Sequence, residues 1–145
     1  MQYVCDAPNR CTWFRMETEG EALLESEAMR HAVEKHFRRA QEAVRVTYRP
    51  TSQAFIERDI GLNSHLQRNM PMFLTLRDSA GAALATAMLP PNGKMPEESE
   101  GGPFRIIIVG PENADPYVQH ADAIAALGKH FDLDLPRAHC FPYRS

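Results

Sequence analysis

Along residues 11–17, Thr12, Phe14 and Met16 alternate with Trp13, Arg15 and Glu17, a period of two that predicts a β-strand. A turn-forming stretch separates this segment from residues 2–6, so the two segments predict a β-hairpin. Residues 72–77 and 83–89 predict a second hairpin, because the connection between them begins with Asp78 and Ser79 and reaches Gly81.

After the first hairpin, apolar residues recur at steps of three and four, which predicts one long helix over residues 18–46. Thr18 is suited to the N-cap, and Glu21 completes a capping box. Glutamates, Glu25 among them, crowd the start of the helix and basic residues crowd its end, which complements the helix dipole. We interpret these charges as a solvated face, with a site for an acidic partner at the basic end as the alternative. The apolar stripe consists of Met29, Val33, Phe37, Ala40 and Val44.

Two less regular regions lie around the second hairpin. Residues 51–70 predict a helix capped by Thr51 or Ser52, with Phe55, Ile56 and Ile60 facing inward, an interruption at Gly61 and an end before Pro71. Residues 90–103 are rich in Pro, Gly, Glu and Ser and predict a mobile loop.

The C-terminal third predicts a β-α-β unit with a parallel crossover. Its parts are an apolar strand over residues 104–109, a helix and a last strand over residues 135–141. The predicted fold is therefore α+β, a single domain over residues 1–145. In it a mixed sheet of about five to six strands is packed by one long helix and one or two shorter ones. The apolar face of the C-terminal helix consists of Tyr117, Ala121, Ile124, Leu127 and Phe131.

Composition and charge narrow the class of protein. The chain has 145 residues, of which 24% are charged and 43% hydrophobic, as in ordinary globular domains. A net charge of −3 disfavours nucleic-acid binding. No apolar run approaches the roughly 18 residues that span a bilayer. The first residues lack the features of a signal peptide. With three cysteines, which cannot all pair within one chain, the expected location is the cytoplasm.

The loop over residues 110–115 is the first candidate for chemistry, because ligands of α/β sheets bind beyond the carboxyl ends of strands. Glu112, Asn113 and Asp115 are its candidate ligand-binding residues, and its carboxylates could hold a hard cation such as Mg²⁺. Glu112 and His120 are candidates for acid–base catalysis. The structural alternatives are that Asp115 caps the following helix and that Glu112 and Asn113 belong to an exposed loop.

Cysteines supply the second candidate. Cys5 and Cys11 would face each other across the first hairpin if its turn held five residues, and Cys140 with His139 or His36 could complete a metal site. The spacing is not the CxxC of structural zinc sites and favours free thiols. If residues 135–141 form a strand, His139 and Cys140 point to opposite faces of it.

Motifs of catalysis and nucleotide binding, such as HExxH, GxSxG and the P-loop, do not occur in the chain. We therefore expect a non-enzymatic binding or accessory domain of unknown ligand, with a homodimer or another protein as partner. The first alternative is a small enzyme with an acid–base pocket at the 110–115 loop. The second is a cysteine-based metal or redox protein. No particular cofactor is indicated.

Overall fold

One antiparallel β-sheet runs through the protein and carries helices on both faces. The computed structural model describes residues 1–50, 55–95, 104–140 and 142. The helices are α1 (Glu19–Met29), α2 (Val33–Arg45), α3 (Phe55–Asn69) and α4 (Tyr117–Phe131). The strands, in spatial as well as chain order, are β1 (Gln2–Ala7), β2 (Cys11–Met16), β3 (Met72–Arg77), β4 (Ala83–Leu89) and β5 (Ile107–Val109). This arrangement confirms the predicted α+β class.

The sheet is antiparallel at all four strand pairs rather than mixed. The predicted last strand over residues 135–141 is reduced to a single parallel bridge between Ile106 and Cys140. A 3₁₀ turn at Arg137–His139 bends the chain just before this bridge. Pro136, which precedes the turn, has no N–H to donate to a strand ladder. In place of the predicted β-α-β unit, the C-terminal segment consists of β5, α4 and an irregular stretch that returns to the sheet beside β5.

The first hairpin has a shorter turn than the five residues that would place its cysteines face to face. Only residues 8–10 connect the strands, and both Asn9 and Arg10 adopt left-handed φ angles of 60°. Cys11 consequently pairs with Ala7, and Cys5 pairs with Trp13. The two thiols are thus displaced along the sheet instead of being directly opposite.

The helix predicted over residues 18–46 is two helices. The capping box of Thr18 and Glu21 is present, but α1 ends at Arg30, whose φ of 55° is left-handed. The Ser26 hydroxyl then accepts a hydrogen bond of 2.8 Å from the Glu34 amide, which fixes α2 against α1. A single helix of about 40 Å would overshoot strands of about 20 Å. The break lets both halves cover the sheet.

The apolar stripe nevertheless faces the sheet as predicted. Its first three residues are buried and its last two are half-buried. Because the stripe continues through the break, the turn at Arg30 changes the direction of the chain without exposing apolar surface. The α2 residues of the stripe belong to the same core cluster as Phe73 and Met16, between the sheet and helices α1–α3.

Helix α3 runs through Gly61 without interruption. A side chain at Gly61 would clash with the Tyr48 hydroxyl, so this glycine allows the chain after α2 to cross α3 closely. Ile60 is 62% exposed rather than inward. The proposed caps at residues 51 and 52 and the side chains of Phe55 and Ile56 lie outside the described residues.

Helix α4 covers the opposite face of the sheet, where Trp13 is completely buried. The Trp13 indole Nε1 donates a hydrogen bond of 2.8 Å to the carbonyl of Ala123, which satisfies its polar atom. The apolar face of α4 includes Ala123, while Ala121 is exposed, contrary to the prediction. The buried residues of α4 are Ala123, Ile124, Leu127 and Gly128.

The start of the predicted mobile loop is packed. Residues Pro91–Gly93 form a 3₁₀ turn, in which Gly93 has a φ of 72° and lies buried against Phe131. The Asn92 side chain donates a hydrogen bond of 3.2 Å to the Arg68 carbonyl at the end of α3. The rest of the prediction, over residues 96–103, falls outside the described residues.

Candidate ligand site

The one charged side chain that is buried among the described residues is Glu25, which is 0% exposed between α1 and the sheet. One of its oxygens accepts a hydrogen bond of 2.8 Å from Arg77 on β3, and the other accepts one of 2.6 Å from Thr86 on β4. Glu25 is therefore not part of a solvated helix face. Its position was readable from the sequence, since it follows Ala22 by three residues and precedes Met29 by four.

His31 extends this network at the start of α2. Thr86 donates its hydroxyl proton to Glu25, so His31 Nε2, at 2.8 Å, donates to the Thr86 oxygen. His31 Nδ1 accepts from the Val33 amide at 3.3 Å. Burial lowers the pKa of His31 to about 4, which keeps the imidazole neutral at pH 7.

Arg77 closes the network on the sheet side. Its Nε donates to the Thr75 hydroxyl at 3.0 Å and its Nη1 to the Gly81 carbonyl at 3.1 Å. With the bond to Glu25, each of its three nitrogens has a protein acceptor. The network thus joins α1 and α2 to β3 and β4, and its groups are satisfied by one another.

The 110–115 loop, the first sequence candidate, is a 3₁₀ turn at Pro111–Asn113 between β5 and α4. Glu112 is exposed and forms an ion pair of 2.9 Å with Arg30. Asp115 accepts a hydrogen bond of 3.0 Å from the Tyr117 amide and forms an ion pair with Arg137. The N-cap of α4 is Pro116, which has no side-chain cap, so the predicted N-cap role of Asp115 is wrong by one residue. Its bond to the Tyr117 amide, two residues on, is an Asx turn that leads into the helix.

Two cavities lie on either side of residues 114–116, which follow the 3₁₀ turn. One, of about 240 Å³, is lined by the candidates Asn113 and Asp115 together with Arg137 and Cys140. The other, of about 280 Å³, is lined by Asp115 and His120. Glu112 lines neither cavity, so the geometry does not bring it together with His120.

The cysteines are free thiols at opposite edges of the sheet. Cys140 lies beside the β5 edge, with its sulfur 3.0 Å from the Tyr117 hydroxyl, and burial raises the pKa of its thiol. Burial also raises the pKa of the Cys5 thiol. Cys5 and Cys11 belong to the α4 face, whereas His36 is on α2, across the sheet. In residues 1–50, 55–95, 104–140 and 142, no group of three or more His, Cys, Asp or Glu could hold a metal ion. The His139 side chain lies outside that description.

A cleft that the sequence did not indicate opens between α2, α3 and the end of β2. We call it the α2–α3 cleft; its volume is about 270 Å³. Phe37 and Gln41 are one turn apart on α2, so both reach the cleft. The apolar residues that line it are Met16, Phe37, Leu66, Met70 and Pro71.

Polar side chains surround the mouth of this cleft. Gln41 on α2 faces Asn63 and Gln67 on α3. Arg15, at the end of β2, lines the cleft and donates a hydrogen bond of 3.1 Å to the Gln67 carbonyl. The cleft therefore combines an apolar floor with polar side chains, as ligand sites do. The polar lining consists of the three amides, the Arg15 guanidinium, the Glu17 carboxylate and the Thr18 hydroxyl.

Comparisons of the chain with models of protein families, curated protein sequences and solved structures found no match. Among the described residues, no helix is long and apolar enough to cross a bilayer. The case for function therefore rests on the geometry of the cleft and of the 110–115 loop.

Proposed function

We propose that the protein is a non-enzymatic, cytoplasmic binding domain that takes a small amphiphilic molecule in the α2–α3 cleft. The observation that carries this proposal is the composition of the cleft: buried Met16, Phe37 and Met70 lie beneath a rim of amide side chains. The floor is already nearly out of water, so binding would be driven by removing the apolar part of the ligand from water, and the amides would orient its polar group.

The size of the cleft limits the ligand. Its volume of about 270 Å³ lies just below the roughly 300 Å³ at which pockets for drug-sized ligands begin. A short alkyl or single-ring compound fits this space better than a nucleotide or a folded peptide. Binding such a ligand requires the side chains of α2 and α3 to stay apart, so filling the cleft should abolish binding.

The test uses octanol as a neutral amphiphile and follows backbone and methyl NMR signals during titration. We expect saturable shifts at Phe37, Leu66 and Met70. Asn63→Trp, at an exposed position on the rim, should block the cleft and remove these shifts. Ser64→Trp is the matched control, because Ser64 is the adjacent exposed residue of α3 and does not line the cleft. Equal octanol shifts in both variants would contradict the proposal.

The acid–base alternative at the 110–115 loop has weaker geometric support. His120 lines a cavity with Asp115, but the expected partner Glu112 is turned toward Arg30. Asp115 itself is engaged by the Tyr117 amide and by Arg137. An enzyme at this loop would have to break these contacts on binding its substrate.

Self-association is the second part of the proposal. One support is the outer edge of β1, since β2 is the one described strand that pairs with β1. The other support is a pair of exposed apolar side chains on α1, Leu23 and Leu24. The experiment is light scattering over a range of protein and salt concentrations. A homodimer should give twice the monomer mass at high protein concentration. A monomeric mass at all concentrations, without salt dependence, would reject this part.

A further inference from the structure

Arg15 is a half-buried cation in the wall of the α2–α3 cleft. Within the described part of the chain, its guanidinium donates one hydrogen bond, to the Gln67 carbonyl at 3.1 Å. Among the described residues, no carboxylate lies within 4.0 Å of it. Burial lowers the pKa of Arg15, and the charge of Glu17 opposes that effect less strongly. The positive charge is therefore partly desolvated and only partly compensated.

The contact with Gln67 also has a structural role, since an arginine at a helix C-terminus stabilises the last carbonyls of α3. That role uses one of the five N–H donors of a guanidinium. The partial negative charge at the C-terminus of α3 repels an anion. This repulsion is weaker than a charge-assisted hydrogen bond from the Arg15 guanidinium to the anion. Donors of Arg15 thus remain for a ligand.

Glu17 decides which kind of anion fits. Its exposed carboxylate lines the same cleft and is 4.0 Å from the Met1 amine. A singly charged, planar carboxylate meets less repulsion from Glu17 than a doubly charged phosphate, and it matches the fork of a guanidinium. From this geometry we infer that the α2–α3 cleft binds a small amphiphile through its carboxylate. The carboxylate lies on Arg15 and the apolar part on Phe37, Leu66 and Met70. This inference rests on the proposed function.

Arg15 borders a second cavity as well. On the α4 side of the sheet it lines a space of about 290 Å³ together with Met72, Asn92 and Phe131. An anion could approach the guanidinium from that side. The inference is specific for the α2–α3 cleft, because three of its apolar lining residues are buried, whereas on the α4 side Met72 is the one buried apolar lining residue among the described ones. The three buried residues of the cleft are Met16, Phe37 and Met70.

The experiment compares octanoate with octanol, which share their alkyl chain and differ in charge. Dissociation constants are measured by NMR titration at pH 7. Wild-type protein should bind octanoate about tenfold more tightly than octanol, the gain from one charge-assisted hydrogen bond. Arg15→Gln should abolish this preference, so that the two dissociation constants become about equal, and the methyl signals of Leu66 and Met70 without ligand report whether the cleft is intact. Arg15→Lys should retain part of the preference.

The controls separate the inference from the proposed function. Arg68→Gln removes an exposed cation of α3 that does not line the cleft, so it should leave the preference unchanged. If octanol binds and octanoate binds no more tightly, the inference fails and the proposed function stands. If neither compound binds, both fail. Octanoate binding that survives Asn63→Trp would place the anion on the α4 side, and tighter binding of octyl phosphate would reject the carboxylate assignment.

Discussion

At the scale of single residues, the protein buries a charged side chain. Its composition is that of an ordinary globular domain, in which charged side chains are mostly exposed. Glu25 and Arg77 are a carboxylate and a guanidinium brought together in a sheet-facing position, 2.8 Å apart. Taking such charges out of water is costly, and Thr75, Thr86 and His31 complete the hydrogen bonds that make it tolerable. The network is expected to be sensitive to loss of any one member.

Glu25→Gln should lower the free energy of unfolding by about 3 kcal/mol, because it leaves the Arg77 charge without its partner. The measurement is urea denaturation. Glu27→Gln, at an exposed position of the same helix, should change stability by less than about 0.5 kcal/mol. Arg77→Met should cost much less in the Glu25→Gln background than in wild type. Equal costs of Glu25→Gln and Glu27→Gln would show that the buried pair is unimportant.

His31 should make stability depend on pH. Its pKa is about 4 in the folded protein and 6.5 in the unfolded chain, so the unfolded state binds more protons between these values. The stabilisation is complete above about pH 6.5 and is lost as the pH falls toward 4, by about 3 kcal/mol in total. His31→Gln should reduce this slope. His130→Gln, an exposed histidine of α4, should not.

At the scale of elements, the break between α1 and α2 is decided by how the helices cover the sheet. Local signals favour one helix, since the apolar stripe and the charge distribution continue through residues 30–32. Arg30 is left-handed with φ 55° and ψ 52°, a conformation that glycine adopts without strain. Packing of both helices on the sheet compensates for this strain.

Arg30→Gly should therefore stabilise the protein, by up to about 1 kcal/mol, even though it removes the exposed ion pair with Glu112. The same substitution in a continuous helix would destabilise by about 1 kcal/mol. Arg39→Gly, in the middle of α2, provides that comparison. Thermal unfolding of both variants tests the prediction, and a loss of stability in Arg30→Gly would argue for a continuous helix.

At the scale of the whole molecule, the sheet is a layer between α4 on one face and α1–α3 on the other. Five of the six residues of β3 are buried, because β3 is the middle strand and both of its faces are covered. β1 and β5 are at the edges and have one neighbouring strand each. Stability should therefore decrease from the centre of the sheet to its edges.

Hydrogen exchange followed by NMR should show the slowest backbone amides in β3, approaching the rate of global unfolding, with faster exchange in β1 and β5. The physical reason is that β3 amides are released only when both helix layers separate from the sheet. Slower exchange in β1 than in β3 would contradict this order, and protection of the β1 edge that rises with protein concentration would support self-association.

Local patterns of the sequence were sufficient for elements that depend on neighbouring residues. Strands β3 and β4 were predicted with their observed bounds, and the capping box that starts α1 and the start of α4 followed from caps and turn residues. The predicted N-cap at Asp115 is one residue too early, since the N-cap of α4 is Pro116. Hydrophobic periodicity and capping depend on a few consecutive residues, so they do not depend on contacts with the rest of the chain.

By itself, then, the sequence determined the α+β class, the two hairpins and the apolar stripe of α1 and α2. The tertiary structure alone decided the break at Arg30, the hydrogen-bond partners of Glu25 and the cleft beside Arg15. These features arise where distant segments meet: residues on β2, α2 and α3 form the cleft, although Arg15 and Gln67 are 52 positions apart. The local spacing places Glu25 on the buried face of α1, but which groups compensate its charge depends on the segments that pack over it, and no local pattern contains that information.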